Sequence, residues 1–276
     1  MIWRTRHSSL DLTQGGVVMG ILNATPDSFS DGGKYSRVQT ALARALEMVN
    51  EGAGIIDIGG ESTRPGAAAI SVEEEINRTV PLVKALRGES EVLISIDTSK
   101  PSVAAAAIEA GADIVNDVTG FREEAMARLC ADARVGVCVM HMQGEPRTMQ
   151  SDPRYDHEGG VVAAVSAFFE ERLETLQSYG INAEAICFDP GIGFGKTLEH
   201  NLELLGSIGK LQTSRPVLLG VSRKSFIGKL TGEDDPTKRD RATAVITALS
   251  FGQGIRLHRV HNVRGAVDAM RVAQLF

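Results

Sequence analysis

Eight short apolar runs, helix-like Ala- and Leu-rich stretches between most of them, and a polar side chain closing nearly every run predict an α/β protein. The class is a single (β/α)8 TIM barrel over residues 1–276, with an N-terminal extension ahead of Val17. In order, Val17–Leu22 ends at Asn23, Ile55–Ile56 at Asp57, Val92–Ile96 at Asp97 and Ile114–Val115 at Asn116. Val137–Met140 ends at His141 and Ala185–Phe188 at Asp189. Val217–Val221 leads into Ser222-Arg223-Lys224, and Ile255–Val260 carries Arg259 and ends at His261. Such a barrel needs roughly 250 residues; the chain has 276, and no linker-like or low-complexity tract divides it.

The intervening stretches carry helix signals. Val38, Leu42, Ala45 and Val49 recur at helical spacing, and Gly52 closes that run. Ser71 and Glu74 read as a capping box opening the next helix. Pro81 removes a backbone donor in mid-run and is expected to kink that helix. Pro101 fits a first helical turn, with Gly111 as its stop. His157–Tyr179 is expected to be the longest helix, ended by Gly180; Asp235-Pro236 marks another start, and Arg264–Leu275 the last outer helix. Three long connections, 25–35, 59–70 and 143–156, lie on the strand-to-helix side, where barrels place functional loops.

Composition narrows the class further. A net charge of −6 argues against nonspecific nucleic-acid binding, which calls for a basic face. Cys130, Cys138 and Cys187 show no CxxC spacing, so buried free thiols are expected. No apolar stretch approaches the length of a membrane span, and the amino terminus has no signal-peptide layout, which points to a cytoplasmic protein without a membrane partner.

Polar residues at the carboxyl ends of barrel strands face the active site. Asp97, Asn116 and Asp189 would therefore converge on the mouth. A carboxylate there can accept paired N–H bonds from the edge of a heterocycle bearing an amino group beside a ring N–H, as in a pterin or guanine. Across the mouth from these acceptors, Arg64, Arg223, Lys224, Arg259 and His261 would form a cationic side for an anionic substrate, near the usual phosphate region of this fold. Asn23 offers an amide oxygen to a hard cation such as Mg2+. The glycines of 189–196 lack GxGxxG spacing after a first strand, so a dinucleotide loop is not expected there. His141 has no Cys or Ser partner placed for nucleophilic chemistry and is expected to be a wall or packing residue.

Together these residues resemble the dihydropteroate synthase family. The 23–33 stretch, Asn-Ala-Thr-Pro-Asp-Ser-Phe-Ser-Asp-Gly-Gly, looks like the family's first signature, and 56–66, Ile-Asp-Ile-Gly-Gly-Glu-Ser-Thr-Arg-Pro-Gly, is similar to its second. Ile96-Asp97-Thr98, Asn116-Asp117, Met140-His141-Met142-Gln143-Gly144, Asp189-Pro190-Gly191, Ser222-Arg223-Lys224-Ser225 and Arg259-Val260-His261 match further motifs in order. The resemblance implies condensation of 6-hydroxymethyl-7,8-dihydropterin pyrophosphate with 4-aminobenzoate, assisted by Mg2+, in a homodimer of the kind sulfonamides inhibit. It implies a pterin held by Asp97, Asn116, Asp189 and Lys224, and a pyrophosphate held by Thr63, Arg64, Arg259 and His261, with Asn23 on the metal. Phe29 and Pro65 would wall the aminobenzoate site and Ser225 would receive its carboxylate. Where the family pattern has Asp after the Arg-x-His, this chain has Asn262.

No residue looks activated as a nucleophile, so pyrophosphate is expected to leave before the amine attacks, under electrostatic rather than covalent catalysis. Asp31, Lys224, Arg259 and His261 are the candidate catalytic residues, Asp31 as stabiliser of the ring cation or orienter of the amine. Two other readings remain open: a pterin-binding methyltransferase domain, which needs no pyrophosphate clamp, and a pterin-binding paralogue without turnover.

Overall fold

A computed structural model of the chain describes residues 1–13, 15–24, 34–62, 68–145, 148–156, 159–211 and 214–276, with backbone alone at 34–36. It opens with an antiparallel pair, β1 (Ile2–Arg4) and β2 (Ser9–Asp11). A parallel sheet of eight strands follows: β3 (Val17–Asn23), β4 (Ala53–Gly59), β5 (Leu93–Asp97), β6 (Ile114–Asp117), β7 (Gly136–Met140), β8 (Ile186–Asp189), β9 (Leu218–Leu219) and β10 (Leu257–Val260). Their spatial order is β8-β7-β6-β5-β4-β3-β10-β9. A parallel bridge from Phe188 to Val217 and the Phe188 N–H donating to the Pro216 carbonyl at 2.9 Å close the ends into a barrel. The helices between are α1 (Lys34–Glu51), α2 (Val72–Glu89), α3 (Pro101–Ala110), α4 (Glu124–Ala133), α5 (Val161–Ser178) and α6 (Leu198–Gly206). After β9 come α7 (Ser225–Thr231) and α8 (Asp240–Gly252), and α9 (Val263–Ala273) follows β10.

Strand alternation sorts the barrel into an outer and an inner set of side chains. Outward-facing Val18, Ile56, Ile94, Val115, Val137, Ile186, Leu219 and Val260 join the core shared with the helices. Met19, Ile55, Leu93, Ile114, Cys138, Cys187, Leu218 and Leu257, one from each strand of the barrel, pack inside it. Trp3 and Leu12 of the N-terminal extension complete that inner layer. Trp3 is fully buried, and its indole N–H donates to the Ala185 carbonyl at 2.9 Å. The extension is therefore a plug that supplies an aromatic floor to the barrel. All three cysteines are free and buried, as their spacing predicts.

The α5 start departs from the expected helix boundary, and the signals at Ser71, Pro81 and Asp235 act locally. Ser71 does cap α2 by accepting from the Glu74 N–H at 3.1 Å. Pro81 lies inside that helix without ending it, and Pro81 and Asn77, whose carbonyl loses its donor, are both exposed to water. α5 begins at Val161, not at His157, which lies outside the described residues. At 18 residues it equals α1 and α2 instead of exceeding them. Asp235 opens a short 3-10 turn, Pro236–Arg239, that feeds α8. No described helix is long and apolar enough to cross a membrane.

Replacing Trp3 by Ala should cost about 3–5 kcal/mol, the range for emptying a buried aromatic site. Denaturant titration of the variant checks this, and a loss below about 1 kcal/mol would show that the plug does not hold the barrel together.

Candidate active site

Because inner side chains recur every second residue, the position two beyond each member of the apolar layer points into the barrel one level higher. Reading up from Met19, Ile55, Leu93, Ile114, Cys138, Cys187, Leu218 and Leu257, those positions are Ile21, Asp57, Ser95, Asn116, Met140, Asp189, Gly220 and Arg259. The chemistry thus begins where the packed interior ends, at the carboxyl ends of the strands.

Arg259 is the hub of this level. Its Nε donates to Asp57 Oδ2 at 2.6 Å, and one terminal nitrogen donates to Asp97 Oδ2 at 2.6 Å. Asn116 Nδ2 donates to the same Asp57 oxygen at 3.3 Å. Among the described residues, Asp57 Oδ1 and Ser95 Oγ are buried without a hydrogen-bond partner. The sequence reading set acceptors and cations on opposite sides of the mouth; the structure corrects this, placing Arg259 directly on two of the carboxylates. Asp57 was missed as a site residue. The signal that would have found it is its register: two beyond an inner apolar residue, as with Asn116, Asp189 and Arg259.

Asp189 stands on the other side of Gly220. A Cβ built on Gly220 would lie 3.4 Å from Asp189 Oδ2 and 3.9 Å from Arg259 Cβ, so the bare glycine lets both residues face one space. Asp189 Oδ1 accepts the Gly191 N–H at 2.7 Å. Lys224 reaches across to donate to the Ile192 carbonyl, and its Nζ lies 4.6 Å from the Phe194 ring centroid. The level therefore carries an acceptor-rich half and a cation, Lys224, that belongs to neither ion pair.

Burial pushes Asp97 up to about 7, with Arg259 pulling the other way and the charges of Asp57, Asp117 and Glu75 adding to the rise. Burial also raises Asp189, opposed by Lys224, the Gly191 N–H, Arg259 and Lys196. Lys224 is drawn down to about 8 by burial against the pull of Asp189, with Arg259 lowering it further. Burial works against the charge of Arg259, but Asp57 and Asp97 outweigh it and hold the guanidinium ionised. Perturbed carboxylates and amines gathered at a strand-end rim are what an active site displays.

The remaining expected residues divide into three groups. His261 is brought to Ser222, its Nδ1 2.9 Å from the hydroxyl oxygen, which also accepts the His261 backbone N–H at 3.1 Å. Ser225 is exposed as the first residue of α7, and Asn23 is exposed at the end of β3. Phe29, Asp31, Thr63, Arg64 and Pro65 lie outside the described residues. Arg223 does not join the cationic side: Asp240 holds its guanidinium through two bonds of 2.7 and 2.8 Å. Asn262 Oδ1 caps α9 by accepting the Gly265 N–H at 2.9 Å, while its Nδ2 turns to Asp240 at 3.5 Å. An Asp there would set a second carboxylate against Asp240, so the amide keeps the cap without the repulsion. His141 is buried edge-on to Phe168 and hydrogen-bonded to Lys196, a packed residue as expected.

A described set of three or more His, Cys, Asp or Glu groups able to hold a metal is absent. A lone amide oxygen such as that of Asn23 suits Mg2+, which keeps several waters and takes further oxygens from substrate phosphates.

Comparison with known proteins accords with this geometry. The family model of pterin binding enzymes matches residues 19–261. The dihydropteroate synthase of Escherichia coli (strain K12) is 46% identical over 270 residues, 97% of this chain and 93% of that protein. The crystal structure of Yersinia pestis dihydropteroate synthase with a sulfonamide drug superposes with a TM-score of 0.92 at 41% identity, covering 100% of this chain and 98% of that one. The Xanthomonas albilineans dihydropteroate synthase with 4-aminobenzoic acid gives 0.89 at 43% identity, covering 97% and 94%.

The Arg259 hub makes a signed prediction about titration. Arg259→Met removes the cation that most lowers Asp97 among the described residues, so the Asp97 carboxyl should titrate above its present value of about 7. Carbon NMR of the labelled side chain measures it, and an unmoved midpoint would show that the pair is electrostatically idle.

Proposed function

The chain belongs to the dihydropteroate synthase family of pterin-binding enzymes, and from that premise we propose how its own residues divide the reaction. It is a transferase of folate biosynthesis that condenses 6-hydroxymethyl-7,8-dihydropterin pyrophosphate with 4-aminobenzoate, releasing 7,8-dihydropteroate and pyrophosphate. The observation that carries the residue assignment is the placement of Asp189 and Arg259 beside the same bare glycine, Gly220.

Asp189 accepts paired N–H bonds from the amino-pyrimidinone edge of the ring, Asn116 and Asp97 bind its remaining polar edge, and Lys224 donates to a ring acceptor. Arg259 and His261 bind the diphosphate, joined by Thr63 and Arg64 of the second loop. Asn23 would hold Mg2+, which supplies charge neutralisation on the leaving group when bound. Phe29 and Pro65 wall the aminobenzoate, with Ser225 receiving its carboxylate.

The bond from the pterin methylene to the diphosphate oxygen breaks first, and its electron pair leaves with pyrophosphate. The electron-rich dihydropterin ring spreads the resulting positive charge. Asp57 and Asp97 lie close enough to Arg259 to share it with the leaving group, and each carboxylate it releases faces the ring cation instead. The amine lone pair then closes the C–N bond and the surplus proton passes from the nitrogen to the released pyrophosphate or to water; Asp31 orients the amine or stabilises the cation.

A second copy of the chain completes the particle. Val245 and Leu249, four residues apart on α8, are 58% and 65% exposed, an apolar stripe that supports a homodimer contact there. Three reduced, buried thiols support a cytoplasmic location.

Three experiments test these assignments. Asp189→Ala should abolish calorimetric binding of a pterin ligand while leaving the fold intact, and pyrophosphate release by the parent enzyme should require both the dihydropterin substrate and 4-aminobenzoate. Unchanged affinity in the variant would remove the ring assignment. Val245→Glu combined with Leu249→Glu should convert the dimer to monomer in sedimentation, and a persistent dimer would place the interface elsewhere.

A further inference from the structure

The amine of Lys196 takes no part in the chemistry assigned so far, yet it is 3% exposed and lies under the turn that follows β8. Its Nζ is 2.9 Å from His141 Nδ1 and donates to the Phe194 carbonyl at 3.0 Å. His141 is itself locked to that turn. Its backbone N–H donates to the Asp189 carbonyl at 2.9 Å, and its own carbonyl lies 1.9 Å from where a Cβ on Gly191 would be. With φ of +64° as well, Gly191 is a position that only glycine can fill.

The turn is held by side chains along its whole length. Four consecutive carbonyls each receive a side-chain donor: Ile192 from Lys224, Gly193 from Gln150 at 2.6 Å, Phe194 from Lys196 and Gly195 from the Tyr155 hydroxyl at 2.7 Å. Lys196 and Lys224 thus hold two carbonyls of one turn, and the Phe194 ring between them contacts the Lys224 amine.

We propose that Lys196 is a positioning residue for recognition of the pterin ring, acting through Phe194 on Lys224 and through its own charge on Asp189. The inference rests on the assignment of Asp189 as the carboxylate that reads the ring. The charged and titratable groups around Lys196 are His141 from the end of β7, Asp189 from the end of β8 and Lys224 before α7. Burial, then the cations of Lys196 and Arg122, drives His141 down to about 2, and facing an ammonium, which only donates, the Nδ1 of the neutral ring takes the acceptor role. Burial pulls Lys196 down to about 7, with Asp189 favouring the ammonium and Lys224 opposing it. The ammonium is therefore present below that value and lost above it. A ring seated on Asp189 excludes water there, which strengthens the field of the carboxylate on the ammonium. By reciprocity, the protonated form binds the ring more tightly.

Carbon NMR of the labelled lysine side chain in the full-length protein tests this, with and without saturating 6-hydroxymethylpterin. The Lys196 midpoint should rise by about one pH unit on binding, equivalent to about tenfold tighter binding to the ammonium form. An unchanged midpoint would overturn the proposal, and this measurement needs no variant. In parallel, Lys196→Met should weaken 6-hydroxymethylpterin binding about tenfold at pH 6, whereas equal affinity would likewise overturn it. If Asp189→Ala binds the pterin normally, the ring assignment itself fails; if Asp189→Ala abolishes binding and Lys196→Met does not weaken it, only the present inference fails.

Discussion

The period of two along a β-strand, imposed on eight strands of a closed barrel, is the constraint from which the site follows. One residue per strand fills the interior with apolar volume, and the next inward-facing residue has apolar packing below it and the open mouth above. A carboxylate or guanidinium placed there is desolvated from beneath and available from above. A shift of one residue in any strand would move such a group to the helix-facing core, where its charge would have no partner. The Trp3 plug belongs to the same design, since it closes the far end and leaves a single open rim.

Desolvation then sets the electrostatics. A buried ion pair contributes little net stability, because attraction is spent largely on offsetting lost hydration. The bonds from Arg259 to Asp57 and Asp97 are better understood as a poised arrangement than as a stabilising device. Asp97 rises to about 7 despite the adjacent guanidinium, so its charge responds to small changes of field near neutrality. Lys224 and Lys196 are lowered towards the same range from the opposite direction. Groups brought into one window by burial can adjust to a ligand whose charge changes during the reaction.

Much of this was legible in the residues alone. The eight runs predicted the strands because parallel strands covered on both faces read as continuous apolar segments, and the strand-end rule located Asn23, Asp97, Asn116, Asp189, Arg259 and His261. Side-chain partners were not legible. Arg223 belongs by position to the cationic cluster, but Asp240, seventeen residues on, claims it. Asp57 went unassigned because its run was marked by two residues, too short to show the alternation that β4 makes plain. Lys196 looked like the end of a glycine turn, and only the three-dimensional approach of His141 reveals its burial.

Charge balance accounts for why cations outside this level are needed. Three carboxyl groups, Asp57, Asp97 and Asp189, lie near three basic side chains, Arg259, Lys224 and Lys196. A neutral ring enters such a level without disturbing it, but a diphosphate does not. On the proposed assignment its charge would be met by His261, Arg64 and Mg2+. When the diphosphate departs, a positive ring remains over the three carboxylates. That field favours the ionised form of Asp97, so the carboxylate is held charged at the step where the ring needs it. Carboxyl groups set close to cations respond more to charge that develops during the reaction than to a neutral ring, which is the condition for stabilising a transition state more than a substrate.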